Sequence, residues 1–130
     1  HQTPKYIQVQ GFAAMAILYS IIGFTWDDLA KIKWLLIILY GSTFFFSNYG
    51  PNATTFMMPS ITFSPSCRST LNGICAACGK AGALLGAAMF QPLSDALGDA
   101  SVMLICAVMS LLACVVTLFC ITSSFTSPDV

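Results

Sequence analysis

Four long apolar runs, separated by short polar connectors, dominate this chain of 130 residues. They cover residues 7–24, 34–63, 71–93 and 101–121. A helix needs about 20 mostly apolar residues to cross the hydrocarbon core of a bilayer, and each run is close to that length or longer. The runs therefore predict an all-α, integral membrane helical bundle with four transmembrane helices. The remaining residues, 122–130, form a polar tail.

The charge content supports a membrane protein and argues against a nucleic-acid-binding one. Charged residues make up 8% of the chain, whereas soluble domains carry roughly 25%. Five basic and five acidic side chains give a formal net charge of zero, and no basic patch could hold a nucleic-acid backbone. We therefore expect the lipid bilayer to surround the chain. Basic residues fall equally on both sides of the predicted spans, so the positive-inside rule does not decide the orientation.

The second span is interrupted near its middle by Gly50 and Pro51. Proline has no backbone N–H and its ring clashes with the preceding turn, so this pair predicts a helix break with a kink or an unwound stretch. The polar residues Asn48, Asn52 and Thr55 flank the break. Such groups are tolerated in a bilayer core where they face protein or a watery cavity. Two interpretations stay open: hydrogen bonding between helices, or a solute pathway.

The third span contains one cation, Lys80, well inside residues 71–93. Small residues surround it, and Gly82 and Gly86 have the spacing that permits close helix contact. A charge at the centre of a bilayer costs at least about 2.5–3.5 kcal/mol. No acidic residue lies in any of the four spans. We therefore expect Lys80 to face the bundle interior near an anion, with a pathway or coupling role; the alternative is a lysine that reaches the headgroups from a helix end.

The sequence offers no set of residues suited to catalysis. It contains six cysteines, one histidine and no glutamate. Cys75 and Cys78 have the spacing of a redox motif, but neither a second cysteine pair nor a nearby histidine completes a metal site. No nucleophile–base pair or carboxylate pair is apparent. We therefore predict that the chain is not an enzyme and holds no metal and no cofactor.

A series of short motifs carries a family resemblance. These motifs are Ile7-Gln8, Gly11-Phe12, Tyr49-Gly50-Pro51-Asn52-Ala53-Thr54-Thr55-Phe56, Pro59, Arg68-Ser69-Thr70, Gly73-Ile74, Ala76-Ala77 and Gly79-Lys80-Ala81-Gly82-Ala83. In this order and at these separations they resemble the plant and fungal proton-coupled inorganic phosphate transporters of the major facilitator superfamily. The similarity covers nearly the whole chain, apart from residues 122–130.

The resemblance has implications for architecture and for two residues. The four spans would be similar to helices nine to twelve of a twelve-helix carrier. The amino end, the loop at residues 64–70 and the tail would be cytoplasmic. Asn52 would contact bound phosphate, and Lys80 would belong to the polar pathway. Both residues also stand out by the cost of placing them in lipid.

The function implied is that of a C-terminal fragment of a proton-coupled phosphate transporter in the plasma membrane. Its partners would be inorganic phosphate, protons, the bilayer and the missing N-terminal helices of the carrier. The segment after the break departs from the family pattern: Ile61 stands for an acid, Ser66 for an arginine and Asn72 for a histidine. Two alternatives therefore remain: a major facilitator carrier for a sugar or another organic solute, and a non-transporting truncated membrane remnant.

Overall fold

The computed structural model describes residues 3–121, and within that range the chain folds into helices without strands. The predicted all-α class is confirmed. The predicted polar tail, residues 122–130, lies outside the described residues. In chain order the helices are α1 (Pro4–Phe24), α2 (Trp26–Leu29), α3 (Lys33–Ser47), a π-helical segment (Asn48–Asn52), α4 (Ala53–Thr62), α5 (Arg68–Leu97) and α6 (Asp99–Cys120).

Helix length and composition agree with a membrane protein. Within the described residues 3–121, three helices are long and apolar enough to cross a bilayer: Pro4–Phe24, Arg68–Leu97 and Asp99–Cys120. The second predicted span corresponds to α3, the π segment and α4, which follow one another without a gap from Lys33 to Thr62. Each of these three pieces is too short to cross alone. The exact limits of the four spans stay a prediction, because helix bounds alone do not locate the lipid.

Local sequence explains how the helices begin and how their polar groups are satisfied. Pro4 occupies the first turn of α1, where a missing N–H costs nothing. Hydroxyl groups inside the helices donate back to the carbonyl four residues earlier, as Ser20 does to Ala16 at 2.7 Å and Ser110 to Cys106 at 2.8 Å. Within residues 3–121 no buried side-chain nitrogen or oxygen lacks a partner. Hydrogen bonding within the helices suits a lipid environment, where water cannot satisfy polar groups.

Helix α1 lies at the centre of the bundle, between α6 on one side and α3 with the π segment on the other. Ile22, Leu29 and Met103 form a buried apolar cluster where α1, α2 and α6 meet. Close to it, Gly23 allows α1 to approach α6: a Cβ at Gly23 would lie 2.8 Å from Leu104 Cγ. The core is therefore small, and it is built around a single central helix.

The amino end of α1 is tied to the carboxyl end of α6 by polar contacts. Lys5 Nζ donates to Leu118 O at 3.0 Å, and Gln8 Nε2 donates to Thr117 Oγ1 at 3.3 Å. The last carbonyls of a helix lack intrahelical donors and carry partial negative charge, so a lysine ammonium there is favourable. These contacts hold α1 and α6 in a fixed register.

Helix α5 is peripheral and is linked to α6 by one residue. It makes its main contacts with its chain neighbours α4 and α6, and none of its residues is buried. Gly98 alone separates α5 from α6, a shorter turn than the connector 94–100 expected from the sequence. Its φ of 83° and ψ of 154° lie in a region that only glycine adopts readily. Ser94 donates to the Asp99 carboxylate across this turn.

Candidate functional site

The site predicted around Gly50 and Pro51 coincides with the π-helical segment, Asn48–Asn52. Pro51 cannot donate a backbone hydrogen bond, so an α-helix cannot continue unchanged through this position. The Ala53 N–H reaches back to Asn48 O, five residues earlier, which is the π pattern. The chain therefore accommodates the proline by widening one turn, and the backbone stays helical.

Because the backbone stays helical, Asn48 and Asn52 share a face and touch. Asn52 Nδ2 donates to Asn48 Oδ1 at 2.7 Å, and Asn48 Nδ2 donates to Phe44 O at 2.9 Å. This chain of bonds fixes the orientation of the Asn48 amide. Both side chains are exposed. Asn52 has a second N–H and its carbonyl oxygen available on the open face, so an anion or a polar solute could bind there.

The two threonines after the break use their hydroxyl protons within the helix. Thr54 is only 1% exposed, and its hydroxyl lies 3.0 Å from Gly50 O and 3.1 Å from Pro51 O. It therefore satisfies carbonyls of the widened turn and faces away from the open side. Thr55 is exposed and donates to Pro51 O at 2.6 Å. Its oxygen can still accept a hydrogen bond from a solute.

A close helix contact lies behind the π segment, and the sequence motifs gave no indication of it. Gly11 of α1 and Gly50 are both buried. A Cβ at Gly11 would lie 2.6 Å from Gly50 Cα and 2.8 Å from Pro51 Cδ. No side chain fits between the two backbones. In the sequence, the only sign of this contact was the presence of a glycine at position 11. A glycine in a helix does not by itself show which segment packs against it.

Lys80 lies on the exposed surface of α5. No hydrogen bond or ion pair joins it to any residue in the part of the chain that the structure describes. A Cβ at Gly82 or at Gly86 would meet nothing within 4 Å, so the small-residue face of the helix is open here. The structure therefore does not bring Lys80 together with Asn48, Asn52 or Thr55.

The described residues hold neither a metal-binding cluster nor a disulfide. Among residues 3–121 no group of three or more His, Cys, Asp or Glu side chains could hold a metal ion. Cys75 and Cys78 are both free thiols. They lie on α5, a helix without the strand and turn that accompany thiol oxidoreductase motifs.

An all-α bundle in which three of the described helices are long and apolar enough to cross a membrane, with a polar pair held at an irregular turn, is typical of a polytopic membrane protein of the transporter class. Comparison with known families agrees. The model of the sugar (and other) transporter family matches residues 3–126. The chain belongs to this family, which is part of the major facilitator superfamily.

Curated relatives narrow the similarity further. The chain is 43% identical over 115 residues to the probable inorganic phosphate transporter 1-6 of Arabidopsis thaliana, which covers 87% of this chain and 22% of that protein. It is 47% identical over 83 residues to the low affinity inorganic phosphate transporter 4 of Petunia hybrida, covering 62% of this chain and 16% of the relative. The resemblance predicted from the motifs is confirmed. The relatives are transporters, a class distinct from enzymes.

The chain spans about a fifth of the length of these relatives or less, at 22% and 16%. No solved structure matches the chain.

Proposed function

We propose that this chain forms the last four membrane-crossing helices of a carrier that moves inorganic phosphate together with protons across the plasma membrane. One observation carries the proposal: the chain is 43% to 48% identical to several proteins named as inorganic phosphate transporters. The matched part includes the widened turn and its polar pair. In this proposal the missing helices of the carrier close the site from the other side.

Asn52 is the proposed phosphate ligand. Phosphate is an anion with strong acceptor oxygens, so it needs N–H or O–H donors. The second N–H of the Asn52 amide is such a donor, and the bond to Asn48 Oδ1 at 2.7 Å limits how far the amide can rotate. Thr55 has committed its own proton to Pro51 O. It would therefore serve as an acceptor for a protonated phosphate oxygen.

Lys80 is the proposed source of positive potential. An ammonium without a partner among residues 3–121 is costly in lipid, and a bound anion or a carboxylate of the missing helices would offset that cost. The four predicted spans contain no acidic residue. Proton coupling would therefore use carboxylates supplied by the rest of the carrier, with Lys80 as their switchable partner.

Phosphate uptake by the complete carrier tests the assignment of Asn52. Asn52→Ala removes one hydrogen bond to a charged group, worth about 1.5–3 kcal/mol, so the KM for phosphate should rise about tenfold or more. Asn72→Ala is the matched control, because it deletes an amide from α5, outside the site. Unchanged uptake kinetics for Asn52→Ala, at equal protein abundance, would remove Asn52 from the site.

The family model keeps a second candidate open, since it describes sugar and other transporters. A carrier for a sugar or another organic solute would use the same amide pair to bind hydroxyl groups. Competition of labelled phosphate uptake by sugars and organic anions separates the two candidates. The third possibility, a remnant that transports nothing, predicts no uptake of any solute by the complete gene product.

A further inference from the structure

We propose that Gly11 is a positioning residue for the phosphate site: by lacking a side chain it lets α1 meet the π segment backbone to backbone, and this contact fixes where Asn48 and Asn52 lie. The proposal rests on the proposed function for the identity of the solute. Gly11 lies on α1, whereas the site lies on the π segment. In this proposal Gly11 itself does not contact the solute.

The contact is tight in both directions. A Cβ at Gly11 would lie 2.6 Å from Gly50 Cα and 3.1 Å from Phe46 O. A Cβ at Gly50 would lie 2.6 Å from Gly11 Cα and 3.2 Å from Ile7 O. Most of the obstructing atoms are backbone, which cannot rotate out of the way as the end of a flexible side chain can. An ordinary van der Waals distance begins near 3.4 Å, so one added methyl group requires a shift of about 1 Å.

Helix α1 is fixed against α6 on the side opposite to the π segment. A methyl group added at Gly11 must therefore displace the π segment. Lys5 and Gln8 donate to α6 at 3.0 and 3.3 Å. Gly23 fixes the other end of α1 against α6, because Leu104 packs where its side chain would be. The side of the π segment opposite to α1 is open, since Asn48 and Asn52 are exposed. A methyl group at Gly11 therefore pushes the amide pair outward, toward the place where phosphate would bind.

The first test measures backbone hydrogen exchange in the purified complete carrier. Gly11→Ala should raise the exchange rate of amides in residues 47–53 about threefold or more, because the widened turn loses its support. Gly23→Ala is the control on the same helix: its added methyl group meets the Leu104 side chain of α6, at 2.8 Å, and does not face the π segment. The proposal is overturned if Gly11→Ala leaves residues 47–53 unchanged, or if Gly23→Ala loosens them equally.

The second test measures phosphate uptake by the same variants. Gly11→Ala should raise the KM for phosphate about fivefold and leave kcat within about twofold. The reason is that the Asn52 side chain is displaced while the rest of the carrier is intact. A purely structural glycine would lower the amount of active protein and leave the KM unchanged. Raised exchange combined with an unchanged KM would overturn the positioning role.

A third measurement needs no variant and remains available if Gly11→Ala does not fold. Phosphate added to the unaltered carrier should slow exchange in residues 47–53 and in residues 7–14 together, because the two segments share one contact. Protection of residues 47–53 alone would overturn the proposal. If the unaltered carrier takes up no phosphate, the proposed function fails, and the exchange comparison of Gly11→Ala with Gly23→Ala decides the role of Gly11 by itself.

Discussion

What each polar side chain at the π segment can offer a solute depends on which of its hydrogen-bond donors already have an acceptor within the helix. Asn52 keeps one N–H free, whereas Thr54 and Thr55 direct their protons to carbonyls of the widened turn. The sequence predicted a polar cluster at this place, with Asn52 as the phosphate contact and Thr55 in the pathway, but it did not show where the hydroxyl protons of the threonines go. Their separation into exposed and inward-facing groups depends on the wider turn, which rotates the residues after Pro51 relative to an ideal α-helix.

At the residue scale, Lys80 offers a clear test. Lys80→Ala should reduce phosphate transport by the complete carrier about tenfold if Lys80 supplies the proposed positive potential, whereas Lys80→Arg should retain part of the activity. Uptake is measured over a range of external pH. Lys33→Ala, which deletes an exposed lysine at the start of α3, is the control. Normal transport by Lys80→Ala at every pH would leave Lys80 with a structural role only.

At the element scale, the stretch from Lys33 to Thr62 shows what a sequence can and cannot predict. Pro51 marked the position of the irregularity, because a missing N–H acts locally. The form of the irregularity was not predictable. Whether the turn unwinds or widens depends on a partner five residues away and on α1, which packs against Gly50 from elsewhere in the chain. Helix α2 was not predicted for a different reason: it has only four residues, and no periodicity is visible at that length.

The turn between α5 and α6 leads to a prediction about stability. Gly98→Ala forces a side chain into a backbone region with φ of 83°, and should destabilise the protein by about 1–3 kcal/mol. Thermal unfolding of the purified protein measures the effect. Gly73→Ala, at a position where a Cβ meets nothing within 4 Å, should be neutral or slightly stabilising, since alanine favours helix. Equal melting temperatures for the two variants would contradict the prediction.

At the scale of the whole molecule, the four apolar runs predicted the all-α class, because each has about the length that a helix needs to cross a bilayer with its backbone hydrogen bonds satisfied internally. Large side chains such as Trp34, Phe24 and Phe119 are about four-fifths exposed, at 80%, 79% and 83%. Such surface requires lipid or further helices. The central place of α1 was not predictable, because four apolar runs of similar character carry no signal of which run packs against which.

Membrane topology provides the test at this scale. If Lys33–Thr62 crosses the bilayer despite its three pieces, residue 28 and Cys67 lie on opposite sides. In an otherwise cysteine-free carrier, an impermeant thiol reagent applied to intact cells should label only one of two variants, one with Cys67 and one with Asp28→Cys. Permeabilised cells control for reactivity. Labelling of both from the same side would show that this stretch enters and leaves on one face.

Helix α5 has 30 residues, which corresponds to about 45 Å at 1.5 Å per residue. The hydrocarbon core is only about 30 Å thick, so the helix must lean or extend beyond it. Lys80 lies about 18 Å from the Arg68 end. A shift of α5 along the membrane normal would therefore change the depth of the Lys80 ammonium between the middle of the hydrocarbon and the headgroups. We therefore expect bilayer thickness to affect the depth of this charge, so the proposed carrier should work at different rates in thin and thick membranes.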